Sequence, residues 1–412
     1  MLIFSAQHVS KLIADDLYCV DSRINSIGLD LAWREGMKIL ILSCNTGEGH
    51  NSSAKAIQAA LKRQGVECDI EDTLAARSEW LSKAISDLYE FSIKISLFGL
   101  IYRLAEKYNA LQLKSKSPIY AFSWLFASRI AQMLQERQYN GVICVHLFPA
   151  EAITMIRHKF GQQVPSIFVM TDYTCIPLLY ETEVDRYIIP HSNLTEEFVS
   201  KGIARDKLQA VGIPVDEGRF TDCIPKEKAR KIVNQLYEWN EASGNWYMIM
   251  GGSMGFGNIV RLIQELNART TRNDRIVCIC GRNNKLQRDI EKRFPGSNKV
   301  KALGYTRKIA LIMDASDVLM TKPGGITSTE AIIKKIPLVH IEPIKGLEED
   351  NATFFREAGI ALGARSIAEQ AAQAVHLCGN ETAKQQMIQN QRRISNVTCS
   401  NDIAEIIMSM AR

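Results

Sequence analysis

The sequence predicts an α/β protein made of two successive doubly wound units of similar size, and three observations predict it. Apolar runs of four to six residues alternate with helical patterns along most of the chain, as a parallel sheet covered on both faces requires. The alternation breaks near Gly212-Ile213-Pro214-Val215-Asp216 and then restarts. Glycine-bearing turns follow several of the runs, and ligands of open α/β sheets sit beyond the carboxyl ends of the strands. A chain of 412 residues suits two or three domains at about 100–200 residues each. The units read as 37–215 and 216–390, with 391–412 as a C-terminal helix able to pack back on the first unit. Residues 1–36 read as an extension or a misplaced start, because Met37 opens directly into Lys38-Ile39-Leu40-Ile41-Leu42.

In order, Ile39–Leu42 is the first strand and Ser52–Arg63 the helix after it. Gly141–Val145, Ser166–Met170 and Arg186–Ile189 are the next buried strands. The second unit offers Trp246–Met250, Arg275–Cys280, Val318–Met320 and Leu338–Ile341, again with helices between. Composition agrees. Apolar residues are 46% and charged residues 23%, which excludes a disordered, collagenous or disulfide-scaffold chain. A net charge of +5 is too small over such a surface to point to nucleic acid. The ten cysteines are scattered, and only Cys278 and Cys280 are close. Several sit in strand-like runs and read as reduced, buried thiols of a reducing cytosol, and none shows metal-ligand spacing. No apolar run approaches the roughly 18 residues of a membrane helix, and Asp15, Asp16 and Asp21 interrupt any signal-like start. A membrane substrate would be reached from the surface.

The turns carry the chemistry. Ser43-Cys44-Asn45-Thr46-Gly47-Glu48-Gly49-His50 follows the first strand and opens a helix, a place where free N–H groups favour an anion. Lys55 stands at the wrong spacing for a Walker loop. His50 suits a general base or a hydrogen-bond donor to substrate, and equally a structural histidine beside a cap formed by Ser52 or Ser53. In the second unit Met250-Gly251-Gly252-Ser253-Met254-Gly255 leaves a strand before a helix and offers amides and a hydroxyl to a diphosphate. Leu303-Gly304-Tyr305-Thr306 and Thr321-Lys322-Pro323-Gly324-Gly325 are further strand-end turns. Glu330, one turn inside the next helix, suits the two hydroxyls of a ribose; alone it would read as a partner for the helix dipole.

Taken in order from Met37 to the C-terminus, these motifs resemble the monogalactosyldiacylglycerol synthase and processive diacylglycerol glucosyltransferase family. These are inverting GT-B glycosyltransferases, more distantly related to the lipid-II-forming N-acetylglucosaminyltransferases. The resemblance implies two Rossmann-like domains facing each other across a cleft, a UDP-sugar donor, a lipid acceptor, and neither cofactor nor catalytic metal. It makes Thr46, Gly47 and Gly49 the Gly-rich loop and His50 the residue that activates the acceptor. It makes Gly251, Gly252 and Ser253 the diphosphate side and puts the backbone of Tyr305 on uracil. Pro323, Gly324 and Gly325 become the donor loop and Glu330 the ribose carboxylate. Gly346-Leu347-Glu348-Glu349-Asp350-Asn351 resembles the family's sugar-binding turn, with Glu348 and Asn351 on the sugar side. Leu347 stands where a glutamine is expected, and Ile176, after Thr171-Asp172-Tyr173-Thr174-Cys175, where a histidine is usual.

The mechanism expected is inverting transfer with His50 or Asp172 as base, Asp172 orienting His50, and His146 as a third candidate that a structural role suits better. Between Trp80 and Arg137 apolar, aromatic and basic residues mix, among them Phe91, Leu100, Ile101, Arg103, Lys107, Trp124 and Arg129. Such a segment suits an anionic membrane surface at the cytoplasmic face, although Trp124-Leu125-Phe126 also reads as core. Two other readings stand beside lipid glycosylation: a UDP-sugar epimerase with no lipid acceptor, and a non-catalytic nucleotide-sugar sensor.

Overall fold

The computed structural model describes residues 36–45, 48–76, 78–94, 97–110, 116–252 and 255–412. Nearly all of the expected extension, and the loop residues Thr46, Gly47 and Ser253, lie outside the described residues. The first unit holds β1 (Lys38–Ser43), β2 (Glu67–Asp72), β3 (Gly141–Cys144), β4 (Ser166–Val169), β5 (Arg186–Ile189) and β6 (Leu208–Ala210). They form one parallel sheet in the order β2-β1-β3-β4-β5-β6. The second holds β7 (Trp246–Met250), β8 (Arg275–Gly281), β9 (Val300–Gly304), β10 (Val318–Thr321), β11 (Leu338–His340) and β12 (Leu362–Gly363). Their order is β12-β11-β10-β7-β8-β9, also parallel throughout. The chain therefore reverses direction between β1 and β3 in one sheet and between β7 and β10 in the other. Those are the points where a crevice opens at the carboxyl edge, and the turns after β1, β7 and β10 are the ones the sequence singles out.

Every strand foreseen from a continuous apolar run is present. The strands not foreseen, β2, β6 and β12, are at or near sheet edges, as is β9, of which only the turn at its end was read. Sequences such as Glu-Cys-Asp-Ile-Glu-Asp in β2 lack the apolar run because one flank meets solvent. Inside the sheets both faces are buried: Leu40 and Leu42 join one apolar cluster, Ile39 and Ile41 another.

The first of these clusters runs without a break through both units, from Leu40, Val142 and Phe168 to Met248, Leu319 and Phe355. The C-terminal segment is two helices, Glu381–Ile394 on the second unit and Cys399–Met410 on the first. Ile403, Ala404, Ile407 and Met408 of the last helix are buried with Ile39, Ile57 and Ile143. Its start is pinned by Glu217, which accepts from the Ser400 and Asn401 amides at 3.0 and 3.2 Å and pairs with Arg63 at 2.8 Å. At the cleft the two backbones touch. A Cβ built on Gly325 would stand 2.0 Å from the Thr171 carbonyl oxygen, so no side chain fits without moving the units apart. Gly325→Ala is expected to cost at least about 1–3 kcal/mol in urea unfolding and to weaken nucleotide binding; a melt and affinity like those of the unaltered protein would show that the cleft yields freely.

Candidate active site

Between the carboxyl edges of the two sheets lies a cavity of about 350 Å³. Gly49, His50, Thr171 and Asp172 line it from the first unit. Gly251, Gly252, Tyr305, Lys322, Gly324, Gly325, Glu330 and Glu348 line it from the second. The turns around 251, 324 and 348 thus converge on one space and face His50. The Gly251 turn folds back on itself, with Phe256 N donating to Gly251 O at 2.8 Å; a Cβ on Gly251 would meet Phe256 O at 2.5 Å.

His50 lies in the first turn of the helix Glu48–Arg63. Its Nδ1 is 2.8 Å from the Val145 carbonyl oxygen. A carbonyl only accepts, so Nδ1 carries the proton and Nε2 keeps its lone pair. Burial pushes the His50 pKa down, while the Asp172 charge and the Val145 carbonyl pull it back up; a neutral imidazole with a free acceptor nitrogen can take a proton. The Thr171 hydroxyl lies 3.2 Å from Nδ1 and donates to Asp172 Oδ2 at 3.3 Å. The imidazole is thus oriented by a carbonyl and a hydroxyl, with Asp172 acting through Thr171 rather than touching the ring by a hydrogen bond. His146 is structural. Its Nδ1 accepts from Phe148 N at 3.2 Å and caps the helix Leu147–Phe160. Burial and the neighbouring His50, 4.7 Å away ring to ring, hold its pKa well below the usual value.

Asn351, expected on the sugar side, does not line the cavity. It is fully buried behind it, accepting from Tyr173 N at 2.7 Å and donating to Asp172 Oδ1 at 2.8 Å. An amide supplies both a donor and an acceptor, so this one side chain ties the second unit to the end of β4. Pro323 is buried in the donor turn and likewise outside the cavity lining. Glu348 forms an ion pair with Lys322 and accepts from Ile344 N at 2.9 Å. The Tyr305 side chain is exposed at the rim. Glu330 is the sixth residue of the helix Gly325–Lys334, beyond the first turn in which the dipole acts. Burial pushes its pKa up to about 8; Arg219 pulls it down and Asp216 pushes it further up.

Sequence reasoning passes over Arg282 and Arg219 and reads Phe98 only as part of the segment suited to a membrane surface, yet all three line the cavity. Arg282 directly follows β8 and pairs with Glu48 across the cleft, so the strand-end rule could have found it. Arg219, between the sheets, carries no such signal. Phe98 belongs to the helix Leu97–Ala110, whose Tyr102 hydroxyl donates to Asp350 at 3.0 Å. One face of that helix therefore packs on the turn that carries Glu348, while Leu97, Leu100, Ile101 and Leu104 on other faces are exposed. Of the triplet Trp124-Leu125-Phe126, Phe126 is core and Trp124 is 65% exposed.

A family model described as monogalactosyldiacylglycerol (MGDG) synthase matches residues 50–215, and one described as glycosyltransferase family 28 C-terminal domain matches residues 247–368. A processive diacylglycerol beta-glucosyltransferase of Bacillus pumilus is 29% identical over 383 residues, covering 89% of this chain and 94% of the relative. Over most of its length the chain is similar to processive diacylglycerol glucosyltransferases, with the two family models matched one after the other. Its fold is GT-B. MurG of Acinetobacter baumannii superimposes with a TM-score of 0.58 at 11% identity, over 90% of this chain and 99% of that one. A UDP-GlcNAc 2-epimerase of Neisseria meningitidis, solved with UDP-GlcNAc, gives 0.59 at 15% identity over 90% and 100%. The two matches fall on either side of the linker between the sheets, and the cavity lies between the matched regions.

The arrangement supplies a proton acceptor on one wall and, on the other, a helix N-terminus, glycine turns and a lysine suited to an anion. His50→Ala is expected to lower turnover at least ~10²-fold with UDP affinity little changed, read by steady-state kinetics and calorimetry; near-normal turnover of the folded variant would remove His50 from the role of base.

Proposed function

We propose that this protein is an inverting hexosyltransferase that moves a sugar from a UDP-sugar to the hydroxyl of a membrane lipid, diacylglycerol foremost. The observation that carries this reading is the confrontation, across one cavity, of the glycine turns and Glu330 with the unprotonated Nε2 of His50. In the reaction the acceptor oxygen attacks the anomeric carbon from the face opposite UDP. The bond from that carbon to the diphosphate breaks, its electron pair stays on the β-phosphate oxygen, and the acceptor proton passes to His50 Nε2. Asp172, through Thr171, stabilises the imidazolium that forms. Gly251, Gly252 and the amides at Gly324 and Gly325 face the diphosphate, Glu330 the ribose, and the Tyr305 backbone the uracil. The names of the relatives support diacylglycerol as acceptor, and the nucleotide-sugar complex of the epimerase supports the donor class.

The lipid side rests on chemistry of the same kind. Among the described residues no helix is long and apolar enough to cross a membrane. Yet Trp80, Leu88, Phe91, Leu100, Ile101, Leu104 and Trp124 are all at least half exposed, next to Lys83, Arg103 and Lys107. Aromatic and aliphatic side chains beside cations suit the headgroup region of an anionic bilayer, which would place the enzyme peripherally at the cytoplasmic face of the membrane. That surface also weighs against the epimerase and sensor readings, neither of which uses it.

The deciding experiment offers UDP-glucose, UDP-galactose and UDP-GlcNAc to the enzyme with and without diacylglycerol in anionic vesicles and reads product mass. A glycosyl-diacylglycerol is expected. Lipid-independent conversion of the sugar would establish the epimerase reading, and binding without UDP release the sensor. A variant with Leu100, Ile101 and Leu104 each replaced by Asp is expected to lose vesicle flotation and at least about tenfold of lipid-dependent activity while retaining UDP binding.

Donor binding should also depend on pH. Unliganded, Glu330 holds its proton up to about pH 8; ribose hydroxyls donating to the carboxylate favour the ionised form. Binding therefore releases a proton, so UDP affinity is expected to rise between about pH 6 and about pH 8 and to level off above. In Glu330→Gln the slope should vanish; an unaltered slope would assign it to another group.

A further inference from the structure

The Lys322–Glu348 ion pair lines the cavity beside its two glycine turns. Lys322 follows β10 directly, three residues before the helix Gly325–Lys334. A Cβ on Gly252 would lie 2.8 Å from Lys322 Cε, and one on Gly324 3.4 Å from Nζ. The ammonium thus stands where both turns leave room for a ligand. Its partner carboxylate is 7% exposed, and Lys322 itself 23%. Charges this enclosed are costly to leave alone, so whatever takes one partner must leave the other satisfied.

We propose that Lys322 and Glu348 form an exchangeable pair that balances the empty donor site and that a UDP-hexose takes over both halves. The diphosphate takes the ammonium, and the hexose hydroxyls take the carboxylate. Lys322 is then a catalytic residue for the leaving group: as the bond from the anomeric carbon breaks, the electron pair left on the β-phosphate oxygen faces its ammonium, while the acceptor proton goes to His50. Glu348 is the specificity half. UDP without a sugar frees Glu348 from Lys322 and offers it no hydroxyls in return, so the intact donor is favoured over spent UDP. After transfer Glu348 competes for Lys322 and helps UDP leave. This inference rests on the donor-site reading above and assigns a role within it.

Calorimetry with UDP as the probe, combined with kinetics on whichever UDP-hexose gives product, tests it on Lys322→Gln, Lys322→Arg and Glu348→Gln. Each variant is first checked for an unaltered melt. Glu348→Gln keeps a carbonyl for Ile344 N and is expected to bind UDP at least about threefold more tightly while its turnover falls. Lys322→Gln is expected to bind UDP about 10- to 100-fold more weakly and to lose about 10²-fold in kcat, with part of both restored in Lys322→Arg. Glu348→Gln binding UDP no more tightly than the unaltered enzyme would overturn the exchange, and Lys322→Gln binding UDP as well would overturn the role of Lys322. Failure of the unaltered enzyme to bind UDP would instead overturn the donor site itself, and this inference with it.

Discussion

The architecture depends on a contact in which two backbones meet with no side chain between them. The Thr171 carbonyl rests against Gly325 so closely that even a methyl group is excluded. Thr171 neighbours the His50 ring, and Gly325 opens the helix whose N-terminus faces the cavity. The same contact that joins the units therefore sets the spacing between His50 and the glycine turns across the cavity. Asn351 reinforces it from behind with two amide hydrogen bonds, and Tyr173 adds a hydroxyl contact to Thr329 at 2.9 Å. An apolar cluster continues through both sheets.

The charges of the cleft are arranged so that few stand alone. Glu48 meets Arg282, Lys322 meets Glu348, and Asp172 is held by Thr171 and Asn351. Glu330 is the exception: burial outweighs its cationic neighbour Arg219 and pushes its pKa up to about 8. A buried carboxyl of this kind is a group whose state a polar ligand can change. The helix Leu97–Ala110 links this interior to the surface. It presents Phe98 to the cavity and Tyr102 to Asp350 while its leucines face outward, so the exposed apolar surface and the turn that carries Glu348 share one helix.

Much of this was legible in the chain. Central parallel strands announce themselves because both faces must be apolar, and the turns after β1, β7 and β10 announce themselves because a backbone approached by a ligand tolerates little else than glycine. Edge strands were not legible, since β2, β6 and β12 carry charge or end within three residues. The motif places Asn351 on the sugar side, whereas its amide faces the first unit, with a partner 178 residues away in sequence. His146 and His50 are similar in sequence terms, each at the mouth of a helix. Only the hydrogen bonds separate them: the amide of Phe148 donates to His146, whereas His50 donates to a carbonyl and keeps the opposite nitrogen free.

By itself, then, the order of residues determined the two parallel sheets, the restart between them and the strand-end turns around the cavity. Those depend on local periodicity and on backbone sterics, which are written into neighbouring residues. Tertiary structure decided which atoms face one another. It determined the tautomer of His50, the partner of Lys322, the bridging role of Asn351 and the raised pKa of Glu330, because each depends on burial and on charges contributed by segments far apart in the chain.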